Sequence, residues 1–342
     1  VFPSFAQFLV MDPDNNSTRA QTWNATIERQ FGTTWQGSVS YLGSYLDRLW
    51  GGVHVNPAVF MGLGACTING VNYASCTTNA NLNQRRVLFQ QNPVLGQGFG
   101  YVNRIADVGT QSYRAVRLSV RRSASTGVSL SANYTLSHCE ADTEVGGSWL
   151  QFEEGYIKPE DPSYDRGNCG NNRRHIGNVS VGAQTPTYSN MALRVLASDW
   201  RVSGIFSARS GGWLTVTTAR DIAGTGIINQ RLNQVSDEVY GDKSLTNYFN
   251  LAAFAYPAAG TYGDHVRNSI EGPGFWSVDM ALTRLVRLPS EQTLEMRMES
   301  FNLLNHMNWA SPTTNYDSRN FGRITAINGR MRIIQFGVKY GF

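Results

Sequence analysis

No run of about 18 apolar residues, the length a membrane-crossing helix needs, occurs anywhere in these 342 residues. The longest apolar stretch, Leu251–Ala259, already contains Tyr256 and Pro257. Charge is also scarce, at 16% of residues, where an average soluble domain carries about a quarter. The net charge of +4 comes with no cluster of five or more Lys/Arg, so nucleic acid is not an expected partner. Four cysteines in this length exclude a miniature disulfide scaffold. His54, His138, His175, His265 and His306 are scattered, and no H-E-x-x-H, G-x-S-x-G or P-loop occurs. An enzyme, a cofactor and a metal centre are therefore not expected. Gly96–Gly100 is glycine-rich but precedes no expected helix, which argues against a phosphate loop. Asp12–Asn16 begins like a calcium loop, yet Ser17 and Trp23 stand where Gly and Glu belong, so it reads as a turn. Val1–Ser17 has no charged n-region or apolar h-region, and the chain reads as a mature piece or a fragment.

Aromatics (11%) and 34 glycines are plentiful instead, and the recurring pattern is period-two alternation. It predicts about nine strands: Arg19–Phe31, Trp35–Leu46, Ser112–Arg122, Gly127–Ser137, Arg174–Thr185, Trp200–Ser210, Trp276–Arg287, Thr293–Leu303 and Arg330–Phe342. Short turns at Gly32–Thr34, Ser123–Thr126, Pro186–Asn190 and Leu288–Gln292 alternate with long connections at 47–111, 138–173, 211–275 and 304–329. Compact soluble domains seldom carry loops beyond about 12–15 residues. Long loops at every second connection put them all at one end of an up-and-down sheet, as in an outer-membrane β-barrel with short periplasmic turns and long extracellular loops.

The two strand faces support this. In the third strand Arg117, Ser119 and Arg121 alternate with Val116, Leu118 and Val120; in the eighth, Glu295, Arg297 and Glu299 alternate with Leu294, Met296 and Met298. A cationic side chain on the lipid face costs about 2–4 kcal/mol at the bilayer midplane, so the charged face is expected to look into the lumen. A soluble β-sandwich with one wet face shows the same alternation; the loop asymmetry favours the barrel. Near the end, Ile334, Phe336, Val338, Tyr340 and Phe342 share one face and resemble the C-terminal insertion signal read by the barrel-assembly machinery. Arg332 is expected on the lipid face near the far interface. Nine antiparallel strands do not close an ordinary barrel, and open edges in hydrocarbon leave backbone groups unsatisfied. Missing strands before Val1, or strands from other subunits, are expected, and Val1–Val10 could hold the remnant of one more.

Several segments together resemble one family. They are Gln21–Asn24 with Ile27–Gly32, Val39–Ser44, Asp165–Asn168 followed by Arg174-His175, and Phe249-Asn250 with Ala252–Phe254. Gly260–Gly263, Arg267-Asn268, Gly272–Phe275, Val278-Asp279, Phe301–Trp309 and Gly337–Phe342 complete the set. In this order they look like the C-terminal part of a TonB-dependent outer-membrane transporter, closest to the Oar-like group with a carboxypeptidase-regulatory-like N-terminal domain. The resemblance implies an all-β, antiparallel, up-and-down transmembrane barrel of 22 strands, of which about nine or ten are present, with residues 1–342 forming the C-terminal portion of that one domain. It also implies an N-terminal plug and a TonB box, neither of them in this sequence, that link uptake to the TonB–ExbB–ExbD complex. The expected function is uptake of a large nutrient (an oligosaccharide, a peptide or a chelate) across the outer membrane. A passive porin and a surface glycan-binding sandwich are the alternatives.

Candidate site residues follow from placement. Arg117, Arg121, Glu295, Arg297 and Glu299 are expected to line the lumen, chiefly as a network supporting the wall or plug. Trp50, Trp149, Trp213 and Trp309 are placed in loops, where they could stack on an extracellular ligand, pack loops together or sit in the interfacial girdle. Cys66, Cys76, Cys139 and Cys169 fall in expected extracellular loops, an oxidising setting, which favours Cys66–Cys76 and Cys139–Cys169 bridges over metal ligation. The connection from His138 to Arg166 is acidic, with Glu140, Asp142, Glu144, Glu153, Glu154, Glu160, Asp161 and Asp165 against Lys158 and Arg166. It reads either as a solvated loop or as a trap for cations.

Overall fold

The computed structural model describes residues 3–123, 127–143, 155–289 and 291–342. Nine long strands form its wall: β1 (Arg19–Phe31), β2 (Trp35–His54), β3 (Phe99–Arg122), β4 (Val128–Ala141), β5 (His175–Gln184), β6 (Trp200–Arg209), β7 (Phe275–Arg287), β8 (Thr293–Phe301) and β9 (Ile333–Gly341). Each is antiparallel to its neighbour in chain order, from β1 at one edge to β9 at the other. Among the described residues β1 and β9 do not pair, so the sheet is an open part of a barrel wall. The remaining sheets are two-stranded ribbons. The sandwich alternative, which needs two large sheets packed face to face, is overturned.

Register assigns the faces. Ile27, Val39, Leu118, Tyr134, Gly177, Ala208 and Trp276 lie opposite one another across seven strands, and Leu282, Met298 and Phe336 continue that face on the last three. One residue along, the row is polar throughout: Ser38, Ser119, Asn133, Asn178, Ser207 and Ser277. The apolar row is the exposed one, with Ile27 at 78% and Phe336 at 77% exposure. In water each such side chain would forgo about 1.5–3 kcal/mol of burial. Against acyl chains it forgoes nothing, which is why the sequence tolerates a whole face of them. Gly43 belongs to this face, and the Trp23 indole lies flat over it, 2.2 Å from where a Cβ would stand, so only glycine fits beneath the ring.

Several boundaries differ from the alternation. β2 and β3 run for 20 and 24 residues, roughly twice the 9–11 a tilted strand needs to cross. Their upper parts leave the membrane as a tall ribbon whose two faces both meet protein: Leu49, His54, Val102, Asn103, Ile105 and Ala106 are all buried. Alternation vanishes there because buried residues occur on both faces, and the register slips between Leu46 and Gly51, where Arg48 takes φ 56°. The N-terminal strand Ala6–Met11 exists, but it pairs in parallel with Phe99–Ile105. It is part of the ribbon and not a tenth wall strand.

The connection read as a short turn at Pro186–Asn190 is longer. It contains a helix, Met191–Ala197, whose first amides are accepted by the Asn190 side chain. Arg332 precedes β9 rather than lying on its lipid face, and its guanidinium donates to the Leu303 carbonyl at 3.4 Å. Turn residues 124–126 and Ser290 lie outside the described residues.

The long connections pack on one another at one end of the wall. Val216, Leu232, Tyr248, Phe249, Ala253, Phe254, Ile270 and Ile324 form a buried core there, drawn from residues 210–274 and 302–332. A wall facing lipid outside and a wide lumen inside buries few side chains of its own. The conventional hydrophobic core therefore sits in this loop layer.

Candidate functional site on the inner wall and loop layer

The polar face of the wall carries the expected charges at the expected parity. Arg117 lies opposite Ser40 and Thr135, Arg121 opposite Gln36 and Ser131, Glu295 opposite Leu285 and Lys339, Arg297 opposite Thr283 and Gly337, and Glu299 opposite Ala281 and Gln335. A groove of about 620 Å³ runs across this face and is lined by Arg121, Ser131, Ser180, Asp279, Arg297 and Glu299 among others. Arg117 and Glu295 do not line it. Arg297 pairs with Glu299, which also accepts from the Gln335 amide. The floor of the groove thus presents fixed, already partnered polar groups beside the Arg121 guanidinium, which no hydrogen bond or ion pair engages among the described residues.

The loop layer is cross-braced by polar links that alternation cannot reveal. Arg231 donates to the Asp165 carboxylate and the Tyr164 carbonyl, and its guanidinium lies 3.6 Å from the Tyr164 ring centre. The Tyr164 hydroxyl donates to the Gly263 carbonyl at 2.6 Å. The side chains of Asn168 and Asn268 each donate to the other's carbonyl, at 2.8 and 2.7 Å. Gly167 bridges Arg267 so closely that a Cβ would stand 2.0 Å from the Arg267 carbonyl oxygen.

Arg85 is fully buried and donates to the carbonyls of Val59 and Gly224 at 2.7 and 2.6 Å, so that burial holds its pKa below the usual guanidinium value. Asp317 accepts from Thr218, Ala219 and Tyr256 and pairs with Arg220. Residues 55–98, 155–174, 210–274 and 302–332 are in this way tied to one another.

Between these braces lies a pocket of about 310 Å³ lined by Asp142, Tyr156, Thr215, Thr217, Asn229, Arg231 and Arg267 among others. Among the described residues two donors in its wall have no hydrogen-bond partner: the buried Tyr156 hydroxyl and Arg231 Nε. Burial, aided by Asp142 and Asp165, pushes the Tyr156 pKa up. The phenol stays protonated and available as a donor. The carboxylates near it are engaged: Asp142 accepts from the Thr110 amide and hydroxyl, both at 2.7 Å, and Asp165 from Arg231 and the Ile157 amide. The pocket therefore suits a neutral or acceptor-rich polar ligand better than a cation.

Sequence reading missed Tyr156, Arg231 and the role of Arg267. Only Asp165 and Arg267, which fall in the quoted motif segments, gave a signal.

The other expected residues distribute as follows. Cys66–Cys76 and Cys139–Cys169 are joined as disulfides, with Cys139 inside β4 rather than in a loop. Trp50 lies within β2 rather than in a loop, and Trp213 lies in the short strand Trp213–Leu214 of the loop layer. Trp50 donates to the Asn16 carbonyl at 2.9 Å, and Trp309 packs against the loop core. Trp149, Glu144, Glu153 and Glu154 lie outside the described residues. Phe336, Val338 and Tyr340 project from the outer face of β9, with Phe342 just beyond it. In the acidic connection, Asp161 accepts from Ser163 and Lys158, which holds its pKa down. Glu140 meets His138 and Arg166. Among the described residues no group of three His, Cys, Asp or Glu is placed to hold a metal.

An open antiparallel wall with an apolar outside, a charged inside and a braced loop layer defines an outer-membrane barrel. The chain belongs to the outer membrane beta barrel domain family, which it matches over residues 1–335, and its place is the outer membrane. No curated protein sequence matches it.

Among solved structures it is similar to the outer membrane transporter YddB from Escherichia coli, at a TM-score of 0.52 and 9% identity, covering 98% of this chain and 34% of that one. It is also similar to P. aeruginosa FpvA, solved with bound pyoverdines (TM-score 0.42, 9% identity, 93% of this chain and 26% of that one). A further match is the FrpB iron transporter from Neisseria meningitidis (0.41, 9%, 96% and 32%). The chain thus spans about a third of the length of YddB.

Proposed function

We propose that this chain is the C-terminal part of the barrel of a TonB-dependent transporter, whose wall and loops conduct a large polar nutrient inward. The observation that carries the reading is the pairing of an unclosed nine-strand wall with a braced loop layer holding a polar pocket. Open edges in hydrocarbon cost several kcal/mol for each unsatisfied backbone group, so this wall belongs to a larger closed barrel. The 98% coverage of this chain by about a third of YddB fits that proportion. In the lumen, the Arg297–Glu299–Gln335 network and Arg121 would face a plug domain. In the loop layer, Tyr156 and Arg231 would donate to cargo hydroxyl or carboxylate oxygens.

Growth on a panel of oligosaccharides, peptides and metal chelates as limiting nutrients tests this in the native host. Deleting the transporter should abolish use of one nutrient, and so should deleting TonB. Uptake that survives TonB loss would instead make the barrel a passive pore.

A further inference from the structure

On the lipid-facing side of the wall, Arg29, Arg122 and Arg284 stand over Phe31, Trp35 and Trp200 toward the turn end, and Arg19 pairs with Asp47 toward the loop end. Arg114 stands on that face of β3, two residues beyond Val116, opposite Gly43 on β2 and His138 on β4. It is exposed, and among the described residues no hydrogen bond, ion pair or ring contact engages its guanidinium. It lies eight residues above Arg122 at the turn, roughly 19 Å of height for a strand tilted about 45°, in an apolar band about 25 Å tall. A side chain of arginine's length reaches the outer headgroup level from there.

Its neighbours make a shelf. His138 Nδ1 accepts from Arg174 at 3.0 Å, which leaves Nε2 to carry the proton toward Glu140 at 3.3 Å, and Glu140 also meets Arg166 at 3.3 Å. Three arginines, Arg114, Arg166 and Arg174, stand against the Glu140 carboxylate, an excess of at least two positive charges. On the other flank Gly43 contributes no side chain, and the Trp23 indole lies flat and 44% exposed over it. A flat aromatic beside two guanidiniums, at the level where acyl chains end, matches a sugar ring carrying phosphate.

We propose that Trp23, Arg114, His138 and Arg174 form a binding shelf for the phosphorylated sugar headgroup of an outer-leaflet glycolipid, on the outside of the wall and separate from the transport path. Arg114 would fork onto phosphate oxygens, Arg174 would flank it, and the acyl chains would run down over Val116, Leu118 and Tyr134. The unpaired cation on a lipid-facing surface is the feature that needs this partner.

Native mass spectrometry of the full-length protein released from detergent, titrated with diphosphoryl lipid A, tests the assignment. Dephosphorylated lipid A and inorganic phosphate serve as the other arms. The wild type should retain diphosphoryl lipid A about tenfold more tightly than the dephosphorylated form, and R114Q with R174Q should weaken it about twentyfold, at about fivefold per arginine near an anionic surface. R114K, which keeps the charge and loses the fork, should fall between wild type and R114Q. Heat-modifiable mobility equal to wild type shows that the variants fold, and R114K serves if the double variant does not.

Equal retention by the double variant, or no preference for the phosphorylated lipid, would overturn the proposal. Complete displacement by millimolar inorganic phosphate would overturn it too, by assigning the cations to free phosphate.

Discussion

Arg231 is the residue on which the loop layer most depends, and replacing it with methionine measures how much. Its side chain is 3% exposed and that of Asp165 is 8% exposed. One nitrogen serves the Asp165 carboxylate, a second the Tyr164 carbonyl, and the guanidinium plane covers the Tyr164 ring. Methionine keeps much of the stem's packing and removes every polar contact. Asp165 is then left buried with the Ile157 amide, at 2.7 Å, as its other donor. Removing one partner of a buried pair costs about 3–5 kcal/mol, most of it the stranded charge.

At 1.4 kcal/mol per factor of ten, a local loss of about 4 kcal/mol raises the opening equilibrium of the layer nearly a thousandfold. Hydrogen exchange read by mass spectrometry on the full protein should show it at 155–168 and 230–234, with the β7–β8 pair unchanged as internal reference. Asp165→Asn provides the control, because the neutral amide removes the stranded charge. R231M added to D165N should cost at least about 2 kcal/mol less than R231M alone, since contacting pairs couple by up to about 3 kcal/mol. A protection loss below about tenfold for R231M, or strictly additive single and double variants, would refute the view that this pair holds the loops together.

Two other outcomes are expected. Burial, reinforced by the nearby Arg231, lowers the His265 pKa from 6.5 to about 4, so the unfolded layer takes up a proton that the folded one refuses. Its stability should be flat above pH 7 and fall as pH drops from about 6.5 toward 4, by up to about 3 kcal/mol; near-UV circular dichroism of H265N, which keeps a donor near Nδ1, should lose that slope. On the wall, L118R should lower barrel stability in urea by about 2–4 kcal/mol while the adjacent S119R changes it by under about 1 kcal/mol, and equal effects from the two would mean the faces are assigned wrongly.

Where lipid is the solvent, the chain writes its structure plainly. Leu118 and Ser119 are neighbours with opposite destinations, and the same contrast repeats on each wall strand, so strand count, order, face and the unclosed edge could all be read from alternation and loop length. That signal fails wherever the wall leaves the bilayer. Past Leu46 and before Ser112 both faces of the ribbon meet protein, and Gly51, His54 and Asn103 are buried where a wet face would be expected. The parallel pairing of Ala6–Met11 with Phe99–Ile105 joins segments some ninety residues apart and leaves no local mark. The helix Met191–Ala197 has seven residues, fewer than the 11–18 over which a helical period can be told from chance.

The candidate site divides along the same line. Parity puts Arg121, Arg297 and Glu299 on one face, but which of them meet depends on cross-strand register, which parity does not contain. Arg117 and Glu295 share the face without sharing the groove. Of the segments that carried the family resemblance, some lie in the wall strands and others link the loops: Asp165 holds Arg231, Gly167 abuts Arg267, Asn168 exchanges hydrogen bonds with Asn268, and Gly263 accepts from Tyr164. These are braces, and their spacing is demanding because backbone meets backbone there, as the 2.0 Å clearance at Gly167 shows. Tyr156, Thr215, Thr217 and Asn229 line the pocket between them and belong to none of the quoted motifs. A likeness carried by wall strands and braces identifies the architecture. On the proposed function, what the barrel admits would be set by the side chains the braces hold apart, so exchanging Tyr156 or Asn229 should alter cargo preference while leaving the layer folded.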